Sequence, residues 1–279
     1  MLSYQHGFHA GNFADLHKHL LQVGLLSSLN KKAKPWSYLE THSGRAMYEL
    51  ADDQSQKTGE YREGIARLWQ AGSQDPLIQA YLEQVRNVNS GDELTRYPGS
   101  PSIAAGMARE NDRIALMELH PTEVEALRGV FRRDDRVAVH HRDGYEGVSA
   151  LLPPDPRRGL VLIDPAYEVK EEYEQVGRFL RKAQRLWPVG MFAIWYPLLA
   201  ANRWQGMIKS VVDAVDGAVL RSELRVAHED CGRMYGSGML IVNPPWQLDK
   251  SLERAMPQLA AALGLSADAV SLQWLREPV

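Results

Sequence analysis

Apolar residues recur along the chain in two rhythms. Across 16–29, "LHKHLLQVGLLSSL", leucines fall at helix spacing and predict an amphipathic or buried helix that "NKKAKP" ends. "WSYLETHSGR" reads as a short strand entering a polar, glycine-containing turn. Helical text resumes at 59–70 and 75–88, so 53–98 reads as a helical insertion, because so long a loop without structure would be unusual. Helices at 102–109, 122–131, 144–150, 173–186 and 203–212 then alternate with strands at 114–119, 137–140, 160–163 and 190–195. This alternation predicts a mostly parallel sheet covered on both faces. "AVLRSELRVA" and "GSGMLIVNPP" have little between them and predict an antiparallel C-terminal edge, with "AVSLQWL" as a candidate further strand. The expected organisation is a core of 1–52 and 99–279 with the insertion at 53–98.

The chain has 279 residues and 44% hydrophobic content, enough for one sizeable core. No run approaches a membrane span, and no basic-then-apolar leader opens the chain. With Cys231 alone, an internal disulfide is impossible, and a reducing cytoplasm is the expected compartment. Net charge is −3, from 32 basic and 35 acidic residues, which disfavours non-specific coating of nucleic acid. A local basic surface remains compatible with it.

In open parallel sheets, ligands bind beyond the carboxyl ends of the strands. Those ends carry Thr41-His42-Ser43-Gly44, Glu118 with His120, Asp143-Gly144, Asp164-Pro165-Ala166-Tyr167 and Tyr196-Pro197. One glycine in "THSGR" is a weak dinucleotide signal, but Gly44 allows close backbone approach to a small molecule. Glu118 occupies the place of the acid that accepts from a ribose diol in nucleoside-binding folds. Each alone is equally a turn or cap; together they point to one pocket.

Pro165 biases Asp164 toward extended backbone. An amine there can donate to the Asp164 carboxylate and the Pro165 carbonyl, with Tyr167 as a flat face for a base ring. The rival "VNPPW", 242–246, comes after two further helices on the expected antiparallel edge and reads as structural, with a wall of an RNA side as the alternative. His6, His9, His17 and His19 invite a metal reading, but no cysteine accompanies them and His17 and His19 fall on different helix faces; no metal is expected. "LNKKAK" reads as a solvated helix end, with phosphate contact as the alternative.

Read together, "MLSYQHGFHAGNFADLHKH", "THSGR", "TGEYREGI", "YPGSP", "MELHP", "RDGYEG", "LIDPAYE", "WYP" and "GSGMLIVNPPW" resemble the RlmJ family over essentially the whole chain. These are bacterial enzymes that use S-adenosylmethionine to methylate N6 of one adenine in 23S ribosomal RNA. The resemblance implies an α/β, Rossmann-like class I methyltransferase. It implies cofactor contacts from His19, His42, Gly44, Ser100, Glu118, Asp143, Gly144 and Asp164. It also implies an amine-holding role for Asp164, Pro165 and Tyr167, and substrate contacts from Tyr4, Lys18 and Tyr167. The implied partner is 23S rRNA, protein-free or in an early assembly intermediate, acted on by a monomer. Ala166 departs from the family pattern, which has a second proline there; both hydrogen-bond acceptors survive, and loop stiffness is what is lost. The amine clamp itself also fits a DNA adenine-N6 methyltransferase, and the pocket a non-catalytic nucleotide-binding regulator.

Overall fold

The computed structural model describes residues 5–278. Helix α1 (Phe13–Asn30) leads into strand β1 (Ser37–Glu40). Then come β2 (Met47–Glu49), α2 (Asp53–Thr58), α3 (Ile65–Ala71), α4 (Pro76–Arg86) and β3 (Arg96–Pro98). The alternating part comprises α5 (Ser100–Met107), β4 (Arg113–Glu118), α6 (Pro121–Phe131), β5 (Val137–His141), α7 (Gly144–Leu151), β6 (Gly159–Ile163) and α8 (Glu171–Leu186). It ends with β7 (Met191–Leu198), α9 (Arg203–Ala214), β8 (Val219–Arg225), β9 (Gly236–Val242), α10 (Leu248–Ala262) and β10 (Val270–Arg276).

Eight strands form one sheet in the order β10-β8-β9-β7-β6-β1-β4-β5. Strands β5, β4, β1, β6 and β7 run parallel, while β9 lies antiparallel between β7 and β8, and β10 antiparallel to β8. This is the Rossmann-like class I methyltransferase fold. The chain builds β4 and β5 on one side of β1, then returns to β6 on the other. That reversal opens a crevice at the carboxyl ends of β1 and β6.

Strand alternation divides the core into two layers. Tyr38, Leu160 and Leu162 join α1, α4, α5 and α10 on one face. Leu39, Val161 and Ile163 join α7, α8 and α9 on the other. Helices of 53–98 contribute Ile65, Leu68, Ile78 and Tyr81 to the first layer, so this segment shares the main core.

Several elements differ from the pattern reading. The ribbon β2–β3 pins the two ends of the helical segment together; three residues per strand are too few to show alternation. Helix α10 was not among the expected elements, and Pro257 inside it interrupts a helical reading. Strand β7 runs to Leu198, so Tyr196 is not a strand-end group: it is fully buried and its hydroxyl donates to Glu223 at 2.9 Å. Strand β9 lies inside the sheet, and the edge is β10.

Candidate functional site

Helix α1 is buried around nearly its whole circumference, polar residues included. Buried polar groups need partners, and α1 finds them across the chain. The Asn12 side chain caps the helix, accepting from the Ala14 and Asp15 amides at 2.9 and 3.0 Å. Gln22 donates to the Ser100 carbonyl at 2.8 Å. His17 lies between the hydroxyls of Ser222 (2.9 Å) and Ser237 (3.0 Å), away from His19, and burial pushes its pKa down to about 3.

The first turns of α1 close over a cavity of about 440 Å³ at the carboxyl ends of β1, β4, β5 and β6. Its walls include His19, His42, Gly44, Ser100, Glu118, Asp143, Gly144, Asp164, Pro165 and Tyr167, together with Lys18. Tyr4 lies outside the described residues. At the centre, Lys18 Nζ is 2.6 Å from Asp164 Oδ2 and 3.0 Å from Asp15 Oδ1, with side chains 5%, 15% and 1% exposed. His6 Nε2 adds a contact of 2.8 Å to Asp15 Oδ2. Burial alone would raise the Asp15 pKa, but His6, which is also hydrogen-bonded to it, and the Lys18 ammonium hold it well below the carboxylate range. Asp15 was missed from sequence; its i, i+3 spacing to Lys18 was the available signal.

Each strand end presents a distinct group. At β1, Gly44 takes φ +61° and its amide donates to Glu118 Oε2 at 2.8 Å. The His120 amide donates to Glu118 Oε1 at 2.7 Å, so two backbone donors fix this carboxylate and leave each oxygen a further lone pair. Burial raises the Glu118 pKa. His42 contacts the Thr41 hydroxyl at 2.8 Å and meets the Tyr145 ring edge-on at 5.3 Å; burial lowers its pKa to about 4. At β5, Asp143 caps α7 by accepting from the Glu146 amide at 2.9 Å. A Cβ at Gly144 would stand 1.9 Å from the Thr41 carbonyl, so only glycine lets α7 approach β1 this closely.

Behind this wall lies a second polar layer that the sequence did not reveal. Ser100 donates to Glu40 Oε1 at 2.5 Å and Tyr38 to Oε2 at 2.9 Å. Glu40 is fully buried, which pushes its pKa up to about 8. Beyond β6, Tyr167 sits at φ +55°, a strained conformation of the kind concentrated at functional sites. Its hydroxyl donates to the Trp195 carbonyl at 2.7 Å, and its ring packs 4.5 Å from that of Tyr173. Trp195, also in the wall, is anchored by a 2.9 Å bond from its indole N–H to Ser237.

"VNPPW" is at the other end of the sheet. Because β9 runs antiparallel to β7, Val242 pairs with Phe192 at the start of β7. The Asn243 amide donates to the carbonyls of Pro188 and Gly190 at 2.9 and 2.8 Å, and tethers that loop.

The family model described as "Ribosomal RNA large subunit methyltransferase D, RlmJ" matches residues 33–276. The chain belongs to the RlmJ family. It is 40% identical over 264 residues to "Ribosomal RNA large subunit methyltransferase J" of Escherichia coli (strain K12), covering 94% of each chain. To the protein of the same name from Haemophilus influenzae it is 41% identical over 265 residues, again 94% of each. A crystal structure of a Legionella pneumophila protein matches with a TM-score of 0.88 at 35% identity, over 97% of this chain and 98% of that one.

RlmJ-family chemistry requires S-adenosylmethionine, and the cavity suits it. Ser43 Oγ, His19 Nε2 and Tyr145 OH are buried at its wall without a hydrogen-bond partner among the described residues, so the wall offers donors and acceptors that the protein leaves unsatisfied. Burial lowers the His19 pKa to about 3, which keeps its ring neutral, while Nδ1 bonds the Tyr97 hydroxyl at 2.7 Å.

Proposed function

We propose that this cavity is where the protein methylates N6 of an adenine in 23S rRNA, with Asp164 as the group that holds the target amine. The observation that carries this reading is the Lys18–Asp164 pair, buried at the one sheet edge where the strand-end groups converge. His19, His42, Gly44, Ser100, Glu118, Asp143 and Gly144 would hold the cofactor together with Asp164, and Glu118 is the acceptor suited to a ribose diol. S-adenosylmethionine supplies an electrophilic methyl group when bound.

The chain's own residues orient the nucleophile. Lys18 takes Asp164 Oδ2, which leaves Oδ1 and the Pro165 carbonyl to accept the two hydrogens of the amine. Holding both hydrogens localises the nitrogen lone pair and opposes the positive charge that grows on nitrogen during transfer. Asp164 Oδ1 is then the nearest base for the released proton. Tyr167 backs the base plane, and Lys18 and Tyr4 contact the substrate. The adenine must be unpaired or flipped, since pairing engages N6. The protein acts as a monomer in the cytoplasm on protein-free or early-assembly RNA, and 53–98 is an insertion into a core of 1–52 and 99–279.

Tritiated methyl transfer to protein-free 23S rRNA, small-subunit rRNA and duplex DNA tests this reading. Label enters 23S rRNA alone. Preferential labelling of duplex DNA, or cofactor binding without label in any polymer, overturns it.

A further inference from the structure

The opposite end of the sheet carries a second surface that the cavity chemistry does not use. In strand order it starts at Trp246, beyond β9, and at Val189, before β7, which are 84% and 78% exposed. The Asn243 bonds to Pro188 and Gly190 hold these two loops together. Before β6 come Arg157 and Arg158, and the Arg157 carbonyl accepts from the Trp187 indole at 2.7 Å. Before β1 come Lys31, Lys32 and Lys34, all exposed, and β4 opens with exposed Arg113.

These segments touch. Arg158 donates to the Lys34 carbonyl at 2.8 Å, and Arg109 to the carbonyls of Lys32 and Lys34 at 2.9 and 3.0 Å. Arg109 is neutralised by Asp112, and exposed acids along the patch include Glu110, Asp155 and, in the loop that meets Asn243, Asp216. Cations still outnumber acids here, in a chain whose net charge is −3. Burial, with a smaller push from Arg109, holds the Arg158 pKa below its ordinary value. From β9 to β4 the row spans roughly 20 Å at ordinary strand spacing.

A row of cations along one edge, with an aromatic ring left in solvent at its end, is a combination that can track a phosphate backbone and stack a base. We infer that this rear edge is a second RNA-docking surface, holding a stretch of the rRNA remote from the methylated adenine through phosphate contacts to Lys31, Lys32 and Lys34 and stacking on Trp246. This rests on the rRNA-substrate reading above. It gives a protein of acidic net charge a local means of capturing a long RNA while the cavity engages one nucleotide.

The test compares full-length protein-free 23S rRNA with the shortest transcript that the unaltered protein still methylates. Two variants are made, the triple Lys31→Ala, Lys32→Ala, Lys34→Ala and the single Trp246→Ala; every altered side chain is exposed, and thermal melting verifies folding. On full-length rRNA, KM rises about tenfold in the triple variant and about fivefold or more in Trp246→Ala, with kcat unchanged. The triple variant also flattens the log–log dependence of affinity on salt by about 2. On the short transcript both variants match the parent. A full-length KM equal to the parent's in either variant, or equal losses on both RNAs, overturns the inference. Loss of the underlying reading would appear separately, as failure of the unaltered protein to methylate either RNA.

Discussion

Two loops with nearly the same letters lie at opposite ends of one sheet. "DPAY" follows β6 and opens into the cavity, whereas "NPPW" follows β9 and tethers the loop before β7. The second is the better match to an amine-holding motif, but its strand runs the other way. Strand direction decides which end of a sheet a loop reaches, and in this fold only the carboxyl end of the parallel strands gathers a crevice. The two acceptor side chains also differ in company: Asp164 meets a buried ammonium, and Asn243 spends its amide on two backbone carbonyls.

Removing the cation tests the cavity end most severely. Lys18→Met leaves Asp15 and Asp164 without their shared partner, and stability measured by urea unfolding falls by about 3–5 kcal/mol, as for a broken buried pair. A loss under about 1 kcal/mol, the size of a surface pair, would erase the distinction between the two ends. At the other end, Asn243→Ala leaves the part-buried Gly190 carbonyl without its donor, while water reaches that of exposed Pro188, and costs about 1 kcal/mol. Its kcat on the short transcript equals the parent's; a collapse of kcat would place chemistry at the wrong edge.

The pH dependence of stability sharpens the contrast, because the strongly titrating groups lie at the cavity end. Glu40 ionises near 4.5 when unfolded and at about 8 when folded. The folded state therefore binds the extra proton between these values. The contribution of Glu40 is complete below pH 4.5 and is lost as pH rises through 8. Glu40→Gln removes this slope, about 1.4 kcal/mol per pH unit at its steepest, read from urea midpoints across pH 5–8. His17, His19 and His42 act in the opposite sense: they are neutral when folded, so stability falls as pH drops below 6.5 toward about 4. The smallest effect is expected from Ala166→Pro, which stiffens the loop before Tyr167 and leaves kcat equal or higher. A large loss there would mean that the φ +55° turn needs a conformation proline forbids.

The order of strands and of the groups ending them was legible in the sequence, because alternation and turn chemistry are local. Hence Glu118, Asp143 and Asp164 fall at successive strand ends on pattern alone. What was hidden is what distance along the chain conceals. Lys18 and Asp164 meet across 146 residues, and neither carries a pattern that names the other. Glu40 reads as the last residue of a strand, and its burial under Ser100 and Tyr38 comes from the packing of α5 and β1. Tyr196 looked like a strand-end group because three further residues of β7 are invisible to periodicity. The rear surface was legible only as a short basic run, since its arginines and Trp246 come from separate segments.

The most direct test is single-turnover methyl transfer to 23S rRNA by Asp164→Ala. Lys18 keeps Asp15 as a partner at 3.0 Å in this variant, so the fold has a reason to survive. The expected result, at saturating cofactor, is a rate lower by about a thousandfold, the scale of losing a group that stabilises transition-state charge. A rate close to the parent's, with Asn243→Ala inactive instead, would contradict the assignment of the reaction to the cavity end of the sheet.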